Sequence, residues 1–249
     1  MEVSEQTLRH LLDLCRRADR LGIWQYSAFL SPAEQTDFER SPEASRFSWS
    51  FFGGTEDAER KILAAGSSDL TGTEAEPPIS LMRIEPLSEK FAEDLTHRDY
   101  LGAVLNLGID RNLTGDIFIR DHLAWLFCLN TARDWLTSLT NVRHTAVRVV
   151  PVPEITALPA PRLVSVSLNI ASERLDAIAA AFAGISRTKA ASLFTEGKVF
   201  VNSRPVQDRS HPLKPGDLLS VRGVGKARYE GILRETRKGR LAVQLQKYL

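Results

Sequence analysis

Residues 96–106 read THRDYLGAVLN. His97, Arg98 and Asp99 set an imidazole, a guanidinium and a carboxylate side by side, a group able to move a proton or hold a phosphate. A second group lies towards the other end, where SRTKA carries Arg187, Thr188 and Lys189. Two cations and a hydroxyl suit gripping an anion. The five histidines, at 10, 97, 122, 144 and 211, are scattered, and no Cys/His cluster proposes a metal.

His-Arg-Asp also opens the catalytic loop of protein kinases, where the carboxylate would be a base. That loop needs an Asn five residues later, a glycine-rich phosphate loop and an Asp-Phe-Gly triplet. The fifth position after Asp99 is Val104, and Asp-Phe-Gly occurs nowhere. The tripeptide reads better as the start of a helix. Thr96 caps it, and Asp99 at the third position favours the positive end of the helix dipole. His97 and Arg98 then lie in the first turn, within reach of solvent or of a phosphate.

Hydrophobic residues make up 43% of the 249-residue chain and charged residues 25%, the composition of a globular, soluble protein. No apolar run approaches the ~20 residues that span a bilayer, and the N-terminal stretch lacks the apolar region of a signal peptide. Cys15 and Cys128 are then most simply reduced thiols of a cytosolic protein. The net charge of +1 conceals an asymmetry: residues 173–249 carry +8 and residues 1–172 carry −7. A basic tail on an acidic body suggests a polyanion partner for the tail, although many basic faces are only solvated.

The elements expected to position these residues fall into three groups in an α+β chain. Residues 1–75 read as a helical N-terminal module. Leu8, Leu11, Leu12, Leu14, Ala18 and Leu21 recur at helical spacing up to Gly22. Ser31, Pro32 and Glu34 spell a capping box for a helix over 32–40. RFSWSFFGG is β-prone, TEDAERKILAA reads as a helix capped by Thr55, and 66–78 is a loop. Residues 76–152 alternate as β-α-β-β-α-β, a split β-α-β domain of the ferredoxin type with two helices on a four-stranded sheet. Its helices cover THRDYLGAVLNLG and NTARDWLTSLTNV, and its middle strands turn near Arg120–His122. Phe118, Trp125 and Phe127 on those strands suit core packing better than base stacking. A proline-rich connector, 152–162, leads to a third domain over 163–249.

In that last domain SERLDAIAAAFAG reads as a helix capped by Ser172 and ended by Gly184. SRTKAASLFTEG reads as a second, capped by Ser186 and ended by Gly197. Strands and turns follow. Beyond residue 226 the chain reads as a hairpin turning at Lys238-Gly239, made basic by Arg234, Arg237, Lys238 and Arg240: a clamp on RNA or a solvated end.

Residues 173–226 resemble the small RNA-binding domain named after ribosomal protein S4. The resemblance is carried by Arg174-Leu175-Asp176, Ser186-Arg187, Ala190, Gly197, Val199, Val201-Asn202, Gly216-Asp217 and Val221-Arg222-Gly223. GGTEDAERK (53–61), KFAEDLTHRDYLGAVLNLGIDRNLTGDIFI (90–119) and this tail together resemble the YlmH family of bacterial RNA-binding proteins. The resemblance implies a helical N-terminal module, a central domain like an RNA-recognition motif, and the S4-type tail. It implies binding to ribosomal RNA on the large subunit, with tRNA as a second candidate and quality control of stalled translation as the setting. The middle strands lack the aromatic-basic signature of an RNA-recognition motif.

The RNA contacts this suggests are Arg174, Arg187, Thr188, Lys189, Lys198, Asn202, Arg204, Arg222, Lys226 and Arg228, with His97 and Arg98 as phosphate contacts. Arg187 and Lys189 stand at a helix N-terminus, where free amides already favour anions. Arg174 has an alternative use, pairing with Asp176 or Asp217. A non-catalytic, cytoplasmic RNA-binding monomer follows, with no cofactor, metal, membrane or small-molecule partner. The alternative is an RNA-modifying enzyme that uses the tail as anchor. FFGGTEDAER has glycines but no following β-α-β series for a methyltransferase, and a pseudouridine synthase needs a larger catalytic domain. An adaptor whose acidic N-terminal module binds a protein is compatible with the RNA reading.

Overall fold

The leucine spacing at the start of the chain forms helix α1 (Glu2–Leu21), which buries Leu11, Leu12, Leu14, Cys15 and Ala18 along one side. Gly22, at φ 63°, ends it; Leu21, expected on the buried side, is half exposed. The computed structural model describes residues 2–248 apart from 57, 154–157, 159–162, 203, 237 and 238, with side chains from residue 5 onward. The expected turn at Lys238 and much of the connector lie outside the described residues. The chain divides into two units, Met1–Pro159 and Ala160–Leu249.

In the first unit, strand β1 (Gln25–Tyr26) precedes helix α2 (Pro32–Glu39). The capping box read from sequence is present: the Ser31 N–H donates to Glu34 Oε2 at 2.7 Å, and the Glu34 N–H donates back to Ser31 Oγ at 3.4 Å. Strands β2 (Trp49–Phe52) and β3 (Ile62–Ala65) complete a sheet in the order β1-β3-β2. The helix expected over 55–65 is therefore a turn followed by a strand, and the N-terminal module is mixed α and β. All four β3 residues are buried in the centre of that sheet. Pairing on both edges and burial outweigh the helix preference of Leu and Ala. The expected loop contains one helical turn, α3 (Ser68–Thr71), capped by Ser67.

A second sheet follows. Strand β4 (Ile79–Pro86), helix α4 (His97–Asn106), strands β5 (Thr114–Arg120) and β6 (Leu123–Leu129), helix α5 (Arg133–Leu136) and strands β7 (Asn141–Val142) and β8 (Thr145–Val152) come in that chain order. The sheet order is β5-β6-β4-β8-β7, with every neighbour antiparallel. Strand β6 lies between β4 and β5, so the crossover through α4 skips one strand. Asp121 and His122, both at positive φ (48° and 63°), make the turn between β5 and β6, the backbone that suits a tight hairpin. Helix α5 is far shorter than expected. The hydroxyls of Thr137 and Ser138 donate to the carbonyls of Asp134 and Trp135 at 2.6 Å each, competing with the helix ladder.

The second unit runs β9 (Leu163–Ile170), α6 (Leu175–Ala183), α7 (Arg187–Thr195), β10 (Val199–Val201), β11 (Arg204–Pro205), β12 (Leu218–Val221), β13 (Gly225–Glu235) and β14 (Leu241–Tyr248). They form one sheet ordered β11-β10-β12-β13-β14-β9, so the first strand pairs with the last, from Leu163↔Tyr248 to Ile170↔Leu241. Leu175, Ile178 and Phe194 of the helices pack with Val199, Val201, Leu219, Val221, Tyr229 and Val243. Arg174, not Ser172, is the cap residue of α6. The Ser172 hydroxyl is buried without a hydrogen-bond partner among the described residues.

Candidate nucleic-acid interface

Gly184, in the left-handed region at φ 65°, ends α6, and Ser186 caps α7 two residues later through the Lys189 N–H at 3.3 Å. The expected sharp helix pair is therefore present, with Arg187, Thr188 and Lys189 exposed in the first turn of α7. The Lys189 side chain forms no hydrogen bond or ion pair with a described residue. Arg187 is tied. Its Nη2 donates to both oxygens of Asp176 at 2.9 Å, and Arg174 Nε reaches Oδ1 of the same carboxylate at 3.2 Å. The Asp176 side chain is only 10% exposed, whereas the two arginines remain half exposed.

Burial opposes the charge on Asp176, but the bonds from Arg187 and Arg174 outweigh it and hold the carboxyl below its usual pKa. One buried carboxylate thus aims two guanidinium groups whose remaining N–H donors face solvent. The alternative reading of Arg174, a pair with Asp176, is what the structure shows. The tie of Arg187 to the same carboxylate was not expected: eleven residues separate them, and only the docking of α7 on α6 brings them together.

The other expected contacts divide. Lys198 Nζ pairs with Glu196 at 2.5 Å. Asn202, at φ 51°, donates to Asp217 Oδ1 at 2.8 Å and accepts the Leu218 N–H at 2.9 Å, while Asp217 Oδ2 accepts the Lys214 N–H at 2.7 Å. Both polar ends of Asn202 are spent on a turn, which makes it a structural residue. Arg204 is exposed on the edge strand β11, paired across to Val201.

Lys226 and Arg228 alternate with Ala227 and Tyr229, which belong to the helix-facing core, so the two cations point to the opposite face of the sheet. Lys226 lies across from Ser220 and Ser220 from Phe200; Arg228 lies across from Gln246. Arg228 Nη2 is 3.2 Å from the Tyr248 hydroxyl. Arg222 sits over the Phe200 ring with its Cζ 4.7 Å from the centroid. The expected single basic surface is therefore two: Arg174, Arg187, Thr188 and Lys189 at the helix pair, and Arg222, Lys226 and Arg228 behind the sheet. Gln246 and Tyr248, missed in the sequence, share the second face; their period-two alternation with Leu245 and Lys247 was the available signal.

In the first unit, the Thr96 N–H and hydroxyl donate to Asp99 Oδ2 at 2.8 and 2.7 Å. Arg143 Nε approaches the other oxygen at 2.9 Å. The Thr96 bonds, with the Arg143 charge, lower the Asp99 pKa. That carboxylate is committed to capping, which leaves it poorly suited to take a substrate proton. His97 and Arg98 are exposed in the first turn of α4, and Arg98 borders a groove of about 540 Å³.

The motif segments 53–61 and 110–116 meet each other. Arg60 donates to the carbonyls of Thr114, Phe29 and Arg111 at 3.0, 2.9 and 3.2 Å. Asp116 accepts the Glu59 and Arg60 N–H groups at 2.6 and 3.2 Å. Burial, and then the neighbouring Arg60 charge, push the Arg111 pKa down to about 10. These residues clamp the N-terminal module onto the β5–β6 side of the second sheet. Burial also raises the Cys15 and Cys128 thiols, to about 11 and about 12, so neither is poised as a thiolate.

Comparison with known proteins adds the following. The family profile described as "Putative RNA-binding domain in YlmH" matches residues 73–155, and that described as "S4 domain" matches residues 173–219. "Ribosome-associated protein quality control protein P2" of Bacillus subtilis (strain 168) is 29% identical over 223 residues, covering 88% of this chain and 85% of that protein. The solved structure of "Cell division protein ylmH from Streptococcus pneumoniae" aligns with a TM-score of 0.47 at 21% identity, over 62% of this chain and 94% of that one.

Proposed function

We infer, from a chain that is YlmH-like and carries an S4 domain after an RNA-binding domain, that this protein acts without catalysis, as an RNA-binding factor on the ribosome. Its ligand is structured ribosomal RNA of the large subunit, with tRNA as a second contact, and its setting is quality control of stalled translation in the cytoplasm. A relative named for ribosome-associated quality control supports the setting.

The observation that carries the reading is the start of α7. Lys189 and Thr188 stand exposed beside two guanidinium groups that one buried Asp176 keeps aimed. Preset cations and free helix amides recognise a folded phosphate backbone by shape and charge. The experiment is co-sedimentation of the full chain with purified ribosomal subunits across a salt series. Thr188→Asp with Lys189→Glu leaves the Asp176 bonds intact and should weaken binding to the large subunit by about tenfold or more. Unchanged binding, or equal binding to both subunits, would count against it.

A further inference from the structure

Much of the sheet in the domain matched by the RNA-binding profile is covered, although Arg83 and Arg148 stay exposed where β4 meets β8 on one face. On one side Tyr100 and Val104 of α4 pack with Met82, Ile84 and Leu126. On the other, Trp125, Phe127 and Phe118 pack with Phe29 and Ile62 from the N-terminal module. The fit is tight: a Cβ on Gly54 would stand 2.2 Å from the Phe127 ring, and one on Gly115 2.7 Å from the Phe29 ring. The rings that could stack bases on an open sheet are covered, so RNA reaching this domain is not held by stacking on Trp125 or Phe127.

One surface has the right features. Arg98, Gly102 and Asn106 recur every four residues and form a single stripe along α4. This stripe is one wall of the 540 Å³ groove; the segment from Ser138 to Arg143 is the other. Arg98 is exposed and forms no hydrogen bond or ion pair with a described residue. Arg143, itself largely exposed, reaches across to Asp99.

Gly102 is the unusual member. Glycine inside a helix is destabilising relative to alanine. At Gly54 and Gly115 the surrounding rings exclude any side chain. At Gly102 the backbone is helical, φ is not positive, and a Cβ would meet nothing within 4 Å. Neither strain nor crowding within the chain calls for glycine there. A bare backbone at this position does suit a partner from outside that approaches the helix closely.

We propose that this groove is the RNA-backbone site of the central domain. Arg98 and Arg143 take phosphates, the strand passes over Gly102, and Asn106, Ser138 and Thr140 offer neutral groups to ribose hydroxyls. The proposal rests on the RNA-binding reading above and adds the place at which the first unit contributes.

The test measures binding of the full chain to deproteinised ribosomal RNA and to intact ribosomes. Gly102→Gln should fill the groove and Arg98→Glu should reverse its charge, each weakening RNA binding by about tenfold. Gly102→Ala should melt no lower than the original chain and bind with a smaller loss. If Gly102→Gln fails to fold, Arg98→Glu, on an exposed side chain, decides. If both variants bind within about twofold of the original chain while Lys189→Glu weakens binding, the groove is not an RNA site and the S4 anchor stands. If the variants lose ribosomes but keep deproteinised RNA, the groove docks a protein and the assignment falls. If the original chain binds no ribosomal RNA, both readings fall.

Discussion

The two large sheets of this protein are dressed in opposite ways. The sheet of residues 79–152 is covered by α4 on one side and, around β6, by the aromatic cluster of Phe29 and Phe127 on the other, where Arg83 and Arg148 stay exposed towards β8. The sheet of residues 163–248 packs its helices on one face and carries Lys226, Arg228, Gln246 and Tyr248 on the other. The first sheet spends its rings on architecture, as do the part-buried Arg60 and Arg111 at its junction with the N-terminal module. The second carries Arg228 beside the Tyr248 hydroxyl and Arg222 over the Phe200 ring. On the proposal above, recognition in the first unit falls to the groove along α4, whereas in the second unit the candidate residues divide between a helix pair and a sheet face.

The largest effect should come from prying open the covered face around Phe127. Gly54→Val adds bulk where even a Cβ would lie 2.2 Å from Phe127, at a φ of 90°. We expect a loss of about 3 kcal/mol or more, seen in urea unfolding followed by tryptophan fluorescence. Stability like that of the unaltered chain would mean that this face is not covered there.

Next comes Asp176→Asn, which takes the shared carboxylate from two half-exposed arginines and should cost about 1.5–3 kcal/mol. The sign with pH follows. Because the folded pKa is depressed, the contribution of Asp176 is fully present above the ordinary carboxylate pKa of about 4 and fades as pH falls through the lower folded value. The variant should lose that part of the acid destabilisation; an unchanged stability–pH profile would remove Asp176 from its central role.

A smaller effect tests whether the second face is used. Lys226→Gln with Arg228→Gln should weaken RNA binding about three- to tenfold. The slope of log K against log salt should become shallower by about one for each phosphate that is no longer neutralised. A weaker complex with an unchanged slope would point to a packing defect. Least of all, Arg222→Ala removes the cation over Phe200 and should cost about 0.5–1 kcal/mol of stability, read from the melting temperature.

Signals that act over one or two turns of chain were legible. The Ser31–Glu34 box, the Thr96–Asp99 cap, the Asp121–His122 turn and the glycine-stopped helix pair all depend on residues within four positions of each other. What depends on distant partners was not. Ile62-Leu63-Ala64-Ala65 looks helical until two neighbouring strands claim it. The tie from Arg187 to Asp176 arises only when two helices dock, and Lys226 and Arg228 part company with Lys189 only because alternation across β13 turns them away from the core. The candidate residues were visible as chemistry; their grouping was set by helix docking and strand register.

The long ladder between β9 and β14 has a mechanical meaning. The connector enters the second unit through β9, and that strand is stitched to the chain's final strand, from Leu163↔Tyr248 to Ile170↔Leu241. A tug arriving along the connector is therefore taken up by backbone hydrogen bonds at the rim of the sheet. Ile170 at the end of β9 packs in one core with Leu175 and Ile178 of α6, so a pull on that seam also loads the helix that carries Asp176.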